Sequence, residues 1–441
     1  MTAPPLSALD RARRKAYWRL LPLVFLCYVV AYVDRTNVSL AKITMQKDLA
    51  FSDAVFGLGS GIFFIGYFLL EIPGSLIVER WSARKWISRI MFSWGIFAAL
   101  TALVKTDNQF YLVRFLLGLG EAGFFPGIIV YLGHWFPARD RAKALAYFLV
   151  ADPVAQIVSP KIINFLLKIG TDEMVNGVMI HHPEIWGLEG WQWVYIACGL
   201  PAVALGFVVL FWMTDRPGQA RWLQADECEA LEEELRREKQ KRRAGPHKTV
   251  WQGLTNPKVL LLAAAYFFTV TATYGVQFFL PSILKQWYAL NLNELTWLVV
   301  LPPVGALTAQ FLVAWSSDRR RERLWHSIVP IAIGTVALAL TPWSRGSSVL
   351  TVVLFTVALA GLKGYKPAFW ALPGLFLTSS AAAGSIGLIN SVGNLGGFLG
   401  PTVIGYVQHM TGSYVGGIYF LCASMMVTVV ILVSLRIKEN R

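Results

Sequence analysis

The 441-residue chain is 55% apolar and only 15% charged, with 17 Trp and a formal net charge of +14. A soluble protein of this length needs far more charged surface, which excludes an ordinary globular domain. The basic excess is gathered in short segments between apolar runs, which excludes reading it as a nucleic-acid-binding face. About twelve runs reach the length that crosses a hydrocarbon core as a helix. They are 17–41, 55–78, 86–104, 109–136, 141–168, 191–213, 257–286, 295–316, 325–342, 348–376, 382–407 and 414–435.

Taken in chain order, Lys and Arg cluster before span one (Arg11, Arg13, Arg14, Lys15, Arg19) and in the even-to-odd connections. Those are Arg80 to Arg89, Arg139 to Lys143, Arg216 to Lys258 and Arg319 to Arg323. The alternate connections are almost bare, and the one with Asp172, Glu173, Glu184 and Glu189 leans acidic. Basic residues retained on the cytoplasmic side produce this alternation, so both termini are expected in the cytoplasm, with the protein in a bacterial inner membrane. Span one is too long for a removable signal peptide and lacks a small-residue cleavage site. Cys27, Cys198, Cys228 and Cys422 are scattered without a C-x-x-C, so neither a zinc site nor a redox pair is implied.

After span two stands Glu79-Arg80-Trp81-Ser82-Ala83-Arg84-Lys85-Trp86, and after span eight Asp318-Arg319-Arg320-Arg321-Glu322-Arg323-Leu324-Trp325. Both read acid-Arg-x-x-x-Arg-x-Trp. A charged hairpin repeated at the same place in two apolar halves marks a duplicated transporter, whose substrate sits where the halves meet. The expected division is an N-terminal six-helix bundle (1–214), a cytoplasmic linker (215–256) and a C-terminal six-helix bundle (257–441). Within the linker, Ala225, Cys228, Leu231 and Leu235 mark one face of a short helix, with Glu232–Arg236 and Glu233–Arg237 as supporting pairs. The basic stretch Arg236 to Arg243 could meet acidic lipid head groups. G-x-x-x-G pairs in spans four and eleven allow close helix contact, and Pro126, Pro153, Pro160, Pro281 and Pro401 should bend their spans.

Ionisable groups inside a bilayer are costly, so each is a functional candidate. Span one holds Asp34 and Arg35; span four holds Arg114 and, two turns on, Glu121. Span five holds Asp152 and Lys161, and span ten holds Lys363 and Lys366, whose spacing of three places them on one helical face. Glu71, before Pro73, reads as support for the first charged hairpin, and Lys161 as a structural or interfacial lysine. Arg35 and Arg114 offer planar forks suited to a carboxylate. Desolvation favours the neutral acid and a nearby arginine favours the carboxylate, so a buried acid between these effects can carry one proton per cycle. An anion competing for the arginine then links substrate arrival to protonation.

These residues sit in recognisable strings: Tyr32-Val33-Asp34-Arg35-Thr36-Asn37, Arg114-Phe115-Leu116-Leu117-Gly118, Glu121-Ala122-Gly123-Phe124-Phe125-Pro126-Gly127, Gly190-Trp191-Gln192-Trp193, and Ile389-Asn390-Ser391-Val392-Gly393-Asn394-Leu395-Gly396-Gly397-Phe398. Over nearly its whole length the chain resembles the anion:cation symporter family of the major facilitator superfamily. The resemblance implies an all-α membrane protein, twelve transmembrane helices in two six-helix bundles around a central cavity, working by alternating access. It implies Asp34 and Glu121 as proton-coupling acids and Arg35 and Arg114 as anion-binding residues. It also implies a cavity lined by Tyr32, Tyr67, Gln277, Trp370 and Asn390. Asp152, Lys363 and Lys366 are further substrate-site candidates. Glu79, Arg80 and Arg84, with Asp318, Arg319 and Arg323, are the candidate gates.

Two departures stand out. Ser75, Glu79 and Ser82 replace the Gly, Asp and Gly usual in the first hairpin. Asp152 occupies a position where a neutral polar residue is expected. Ala151-Asp152-Pro153 and Ser159-Pro160 lack the glycines of the antiporter motif, which argues for symport. The expected function is import of a small organic anion with H⁺ rather than Na⁺, by a monomer in contact with membrane lipids, without cofactor, metal or nucleic acid. A dicarboxylate, an aromatic acid or a sugar acid remains open. The rivals are anion exchange or uniport, and a non-transporting sensor on the same scaffold. A membrane enzyme has no support, since the sequence has no H-E-x-x-H or G-x-S-x-G and the spans hold no histidine cluster.

Overall fold

A computed structural model describes residues 7–175, 178–243, 255–377 and 379–435. The first half contains α1 (Ala8–Leu49), α2 (Asp53–Arg80), α3 (Ala83–Leu100), α4 (Asp107–Glu121), α5 (Phe124–Trp135), α6 (Ala138–Leu149), α7 (Ala151–Leu167) and α8 (Gly190–Trp212). The linker helix α9 (Ala225–Arg243) follows. The second half contains α10 (Pro257–Tyr288), α11 (Leu292–Arg320), α12 (Leu324–Leu340), α13 (Ser348–Gly364), α14 (Lys366–Ala371), α15 (Ser379–Asn394), α16 (Gly396–Thr411) and α17 (Val415–Ser434). Among the described residues, eleven helical stretches are long and apolar enough to span a membrane. The twelfth run is present as α15 and α16, interrupted at Leu395 and so divided into two shorter helices. The protein is an all-α integral membrane protein with its helices in two six-helix bundles.

Local chemistry explains where the helices begin. Ser7, Ser52, Ser82, Thr106, Asn256, Asn291 and Ser347 each stand at an N-cap and accept a backbone N–H from the first turn. Asn291 and Glu294 complete a reciprocal capping box. Polar residues extend several helices beyond their apolar cores. Helix α1 runs 42 residues, roughly 60 Å, about twice the hydrocarbon thickness. Span four breaks between α4 and α5 at Gly123, whose φ of +83° suits glycine. A Cβ there would lie 3.0 Å from the Cα of Gly74, so the break also allows α2 to pass close by. Span five divides into α6 and α7, and span ten into α13 and α14, with Tyr365 between Lys363 and Lys366.

The buried polar groups lie inside, while Phe165, Phe211, Phe311 and Val430 are exposed around the outside, as a lipid-facing surface requires. We call the side holding the start of α1, the end of α2 and α9 the terminus face. The side holding the α1–α2 and α10–α11 turns is the opposite face. Between α7 and α8 lies an unforeseen antiparallel hairpin, β1 (Asp172–Val175) and β2 (Val178–His181), with Asp172 opposite His181.

Near the opposite face the halves meet backbone to backbone. A Cβ at Gly57 of α2 would lie 2.4 Å from the carbonyl oxygen of Pro401 of α16, and one at Gly405 would lie 2.3 Å from that of Asp53. Asn164 of α7 donates to Asn293 of α11 at 2.7 Å. Lys161 lies over the ring of Trp297, 2.9 Å from its centroid, an interfacial placement across the halves.

Helix α9 docks on the start of α1. Glu227, 1% exposed, accepts from Lys15 at 2.7 Å and from Arg11 at 3.3 Å, while Arg141 donates to Glu238 at 3.1 Å. The expected Glu233–Arg237 pair forms at 2.8 Å. Arg236 turns to Glu233 as well, rather than to Glu232, so one carboxylate gathers both guanidinium groups.

Candidate substrate and proton-coupling site

In the middle of α1, Tyr32 and Arg35 are three residues apart and share one face, while Asp34 points to another side of the helix. Asp34, Arg114 and Glu121 are each at most 1% exposed. Arg35 pairs with Glu121 of α4 and donates to the Tyr274 hydroxyl of α10 at 3.3 Å. Its guanidinium lies 5.2–5.4 Å from the ring centroids of Tyr32, Phe63 and Tyr67. Three aromatic faces and one carboxylate thus hold the cation where water is scarce.

Asp34 hydrogen-bonds to neither arginine. It accepts from Trp94 Nε1 at 2.7 Å and from Asn37 Nδ2 at 3.0 Å, inside the first bundle. Arg114 does not hold Glu121 by hydrogen bonds. Its Nε approaches the Gly59 carbonyl at 3.5 Å, and its guanidinium lies 5.1 Å from the Phe63 centroid. Both terminal nitrogens of Arg114, and the second carboxylate oxygen of Glu121, have no hydrogen-bond partner among the described residues. Buried, unpartnered ionic atoms are energetically costly, so this corner is prepared for a further group.

A second polar cluster crosses the halves. Lys363 of α13 donates to Asp152 of α7 at 2.9 Å, Gln156 also donates to Asp152, and Gln277 of α10 donates to Gln156 at 2.5 Å. Lys363 is thereby engaged by Asp152, whereas half-buried Lys366 has no ion-pair partner among the described residues. Gln156, Gln277, Thr36 and Ser39 line a small cavity of about 50 Å³ beside this cluster. Trp370 stands edge-on to Tyr266, with centroids 4.9 Å apart.

Glu71 is placed differently from its sequence reading. It is 3% exposed and does not brace the hairpin; it accepts from Asn390 at 2.5 Å and from Asn394 at 3.2 Å, both on α15. The residues that sequence reasoning passed over are Trp94, Tyr274, Gln156 and Asn394. Being neutral, they carried no signal of cost in a membrane. Lys42 and Asp53 were also missed. They pair near the opposite face, where Gln46 and Tyr414 donate to Asp53 at 3.1 and 3.0 Å. Lys42 fell just beyond the apolar run, and only the extension of α1 buries it. A larger cleft of about 550 Å³ adjoins this pair, lined also by Lys47, Lys285 and His409, away from Arg35 and Glu121.

At the hairpins, Arg323 pairs with Asp318 at 2.6 Å, and Arg319 lies over Trp315. Glu322 caps α12, accepting from the backbone N–H of Trp325 at 2.5 Å and of His326 at 3.0 Å. In the first hairpin the capping carboxylate comes from Asp215, just past α8. It accepts from Ser82 Oγ at 2.7 Å and from the Arg84 backbone N–H at 2.8 Å. The side chains of Glu79 and Arg80 lie outside the described residues.

The Major Facilitator Superfamily profile matches residues 24–401. An Agrobacterium vitis protein named for tartrate transport is 40% identical over 421 residues, covering 96% of this chain and 90% of that protein. An Acinetobacter baumannii protein named a quinolone resistance transporter is 36% identical over 413 residues, covering 94% of this chain and 92% of its own. A bacterial homolog of the human lysosomal transporter Spinster, solved inward-facing and unoccupied, has the same fold. Its TM-score is 0.71 at 18% identity, over 96% of this chain and 95% of that one. With a profile match over residues 24–401 and a relative 40% identical over 96% of this chain, the protein belongs to the Major Facilitator Superfamily, as a secondary transporter and not an enzyme.

Proposed function

We propose that the protein imports a small organic carboxylate together with H⁺ by alternating access, from a bacterial inner membrane with both termini in the cytoplasm. The observation that carries this reading is the Arg114 guanidinium, buried with both terminal nitrogens unpartnered among the described residues, beside the Arg35–Glu121 pair. A carboxylate entering there meets a waiting fork on Arg114 and competes with Glu121 for Arg35. Glu121, once displaced from its cation in a desolvated site, favours its neutral form and takes a proton. Asp34 is the second coupling acid, held by Trp94 and Asn37 rather than by an arginine. Tyr32, Tyr67, Gln277, Trp370 and Asn390 line the path, and Asp152, Lys363 and Lys366 add charge at its far wall. The hairpin residues Glu79, Arg80, Arg84, Asp318, Arg319 and Arg323 act as gates. The two bundles, 1–214 and 257–441, rock about the site, joined by the linker 215–256.

The relative named for tartrate transport supports a dicarboxylate. Passage of a bulkier aromatic compound is favoured instead by Trp370 against Tyr266 and by the relative named for quinolone resistance. Proteoliposomes loaded with purified protein test the main reading. An inward H⁺ gradient should drive tartrate accumulation. Asp34→Asn and Glu121→Gln should each abolish accumulation, while counterflow survives in at least one of them. Full accumulation in both variants would overturn the coupling assignment. Equal inhibition by a quinolone and by tartrate would favour the aromatic alternative.

A further inference from the structure

The cleft on the opposite face takes no part in the proposed coupling, and its charge is unbalanced. It straddles the bundles: Lys47 and Ser52 come from the first, and Lys285, Gln408 and His409 from the second. Beneath it α2 and α16 meet, where the Asp53 backbone touches Gly405. Asp53 is the only acid in the lining among the described residues, and its carboxylate is already engaged. Lys42 and Gln46 bind one oxygen, and Tyr414 donates to the other at 3.0 Å. Asp48, next to Lys47 in sequence, turns away and accepts from Trp191 Nε1 at 2.8 Å. Lys47 and Lys285 thus face one cleft with no ion-pair partner among the described residues, close enough for their charges to repel.

Each of these cations stands in the last turn of its helix, Lys47 on α1, Lys285 on α10 and His409 on α16, where it complements the helix dipole. The dipoles account for a cation at each helix end. They do not require three helices from two bundles to bring those cations to one concavity. Positive charge converging on a solvent-open cleft raises the local concentration of anions. We propose that this cleft is an outer anion site, taking a dicarboxylate between Lys47 of one bundle and Lys285 of the other while the opposite face is closed. The class of ligand rests on the carboxylate reading above. In the proposed orientation the cleft opens to the periplasm, the side from which an imported anion arrives. A dianion meets both ammonium groups and relieves their repulsion, whereas a monoanion neutralises only one. A volume of about 550 Å³ suits an extended diacid better than a compact inorganic dianion. Because its walls belong to different bundles, parting of this face separates the lysines and releases the anion toward the central path.

Equilibrium dialysis of the purified full-length protein against labelled tartrate at low ionic strength counts the sites. Wild type should hold two tartrates, and the double variant Lys47→Gln with Lys285→Gln only one. Lys47→Arg with Lys285→Arg, which keeps both charges, should retain two. An equal count in wild type and the glutamine variant overturns the inference, and a count of one in each leaves the carboxylate reading standing. One tartrate in wild type and none in the glutamine variant supports the outer site and overturns the reading at Arg114. None in wild type overturns both. Thiol labelling locates the outer site. Cys27, Cys198 and Cys422 are buried, so Gln408→Cys in a Cys228→Ser background offers one accessible thiol. Tartrate should slow its modification by an anionic thiosulfonate at least about fivefold, and lactate by less than about twofold. The glutamine variant should lose that protection. Protection by lactate or sulfate equal to that by tartrate overturns the assignment to a dicarboxylate.

Discussion

The two bundles bring different chemistry to the proposed site between them. The first supplies buried Asp34, Arg114 and Glu121 and half-buried Arg35, with Arg35 and Glu121 already paired within that bundle. The second supplies chiefly neutral groups at the same level: Tyr274, Gln277, Asn390 and Trp370, with Lys363 as a cation that reaches across to Asp152. Burying an ion is tolerable where its partner moves with it as part of one rigid body. A neutral amide or hydroxyl can break its contact and find water or substrate at far smaller cost. Charges concentrated in one bundle, met by neutral ligands from the other, thus let the bundles separate without stranding an ion. The Asp152–Lys363 pair is the exception, since it joins an anion and a cation from opposite bundles.

That contrast can be broken at its charged side first. Arg35→Lys retains the charge but loses the planar fork and its contacts with Glu121 and Tyr274. Initial uptake in proteoliposomes should fall by about a hundredfold, whereas Gln277→Ala on the neutral side should change it only severalfold. Equal losses would mean that the bundles do not differ as described. The exceptional pair comes next. Lys363→Met should destabilise the protein by about 3 kcal/mol, because Asp152 is left buried without its cation, and the double change Asp152→Asn with Lys363→Met should recover most of that loss. Thermal unfolding of the purified protein in lipid nanodiscs measures both.

The smallest effect concerns the linker. Burial raises the affinity of Glu227 for a proton, but hydrogen bonds from Lys15, the Gln224 backbone N–H and Arg11 outweigh it and hold the carboxyl below its ordinary 4.5. A carboxyl lowered on folding stabilises the docked state above its free value and loses that contribution as pH falls through the folded value. Docking of α9 on α1 should therefore persist at neutral pH and weaken as pH falls below the ordinary carboxyl value and through the lower folded one, seen as faster pepsin cleavage in the linker. Glu227→Gln should show the same exposure to protease at pH 7 with transport within about twofold of wild type.

Much of this molecule is legible from its amino acids alone. Apolar runs marked the spans because a helix in lipid must be apolar for about twenty residues, whatever its neighbours do. Asp34, Arg35, Arg114 and Glu121 stood out because a charge in such a run is costly without a role. The linker face of Cys228 and Leu231, and the Glu233–Arg237 pair, followed from helical spacing. Other features were not readable in this way. Glu71 was assigned to a hairpin next to it in sequence, yet its partners lie more than 300 residues away on α15. Asp215 appeared as a boundary residue, yet it caps the first turn of α3.

The sequence by itself determined the membrane class, the two-bundle repeat and the burial of Asp34, Arg114 and Glu121, since each follows from composition and period along a single helix. Only the tertiary structure decided the pairings: Arg35 with Glu121, Asp34 with Trp94 and Asn37, Lys363 with Asp152, and Glu71 with Asn390 and Asn394. Burial sets the cost of a charge locally, but the group that relieves it is whichever donor or acceptor the packing brings within about 3 Å. Neutral donors serve as well as ions for that purpose, and no pattern along the chain distinguishes them.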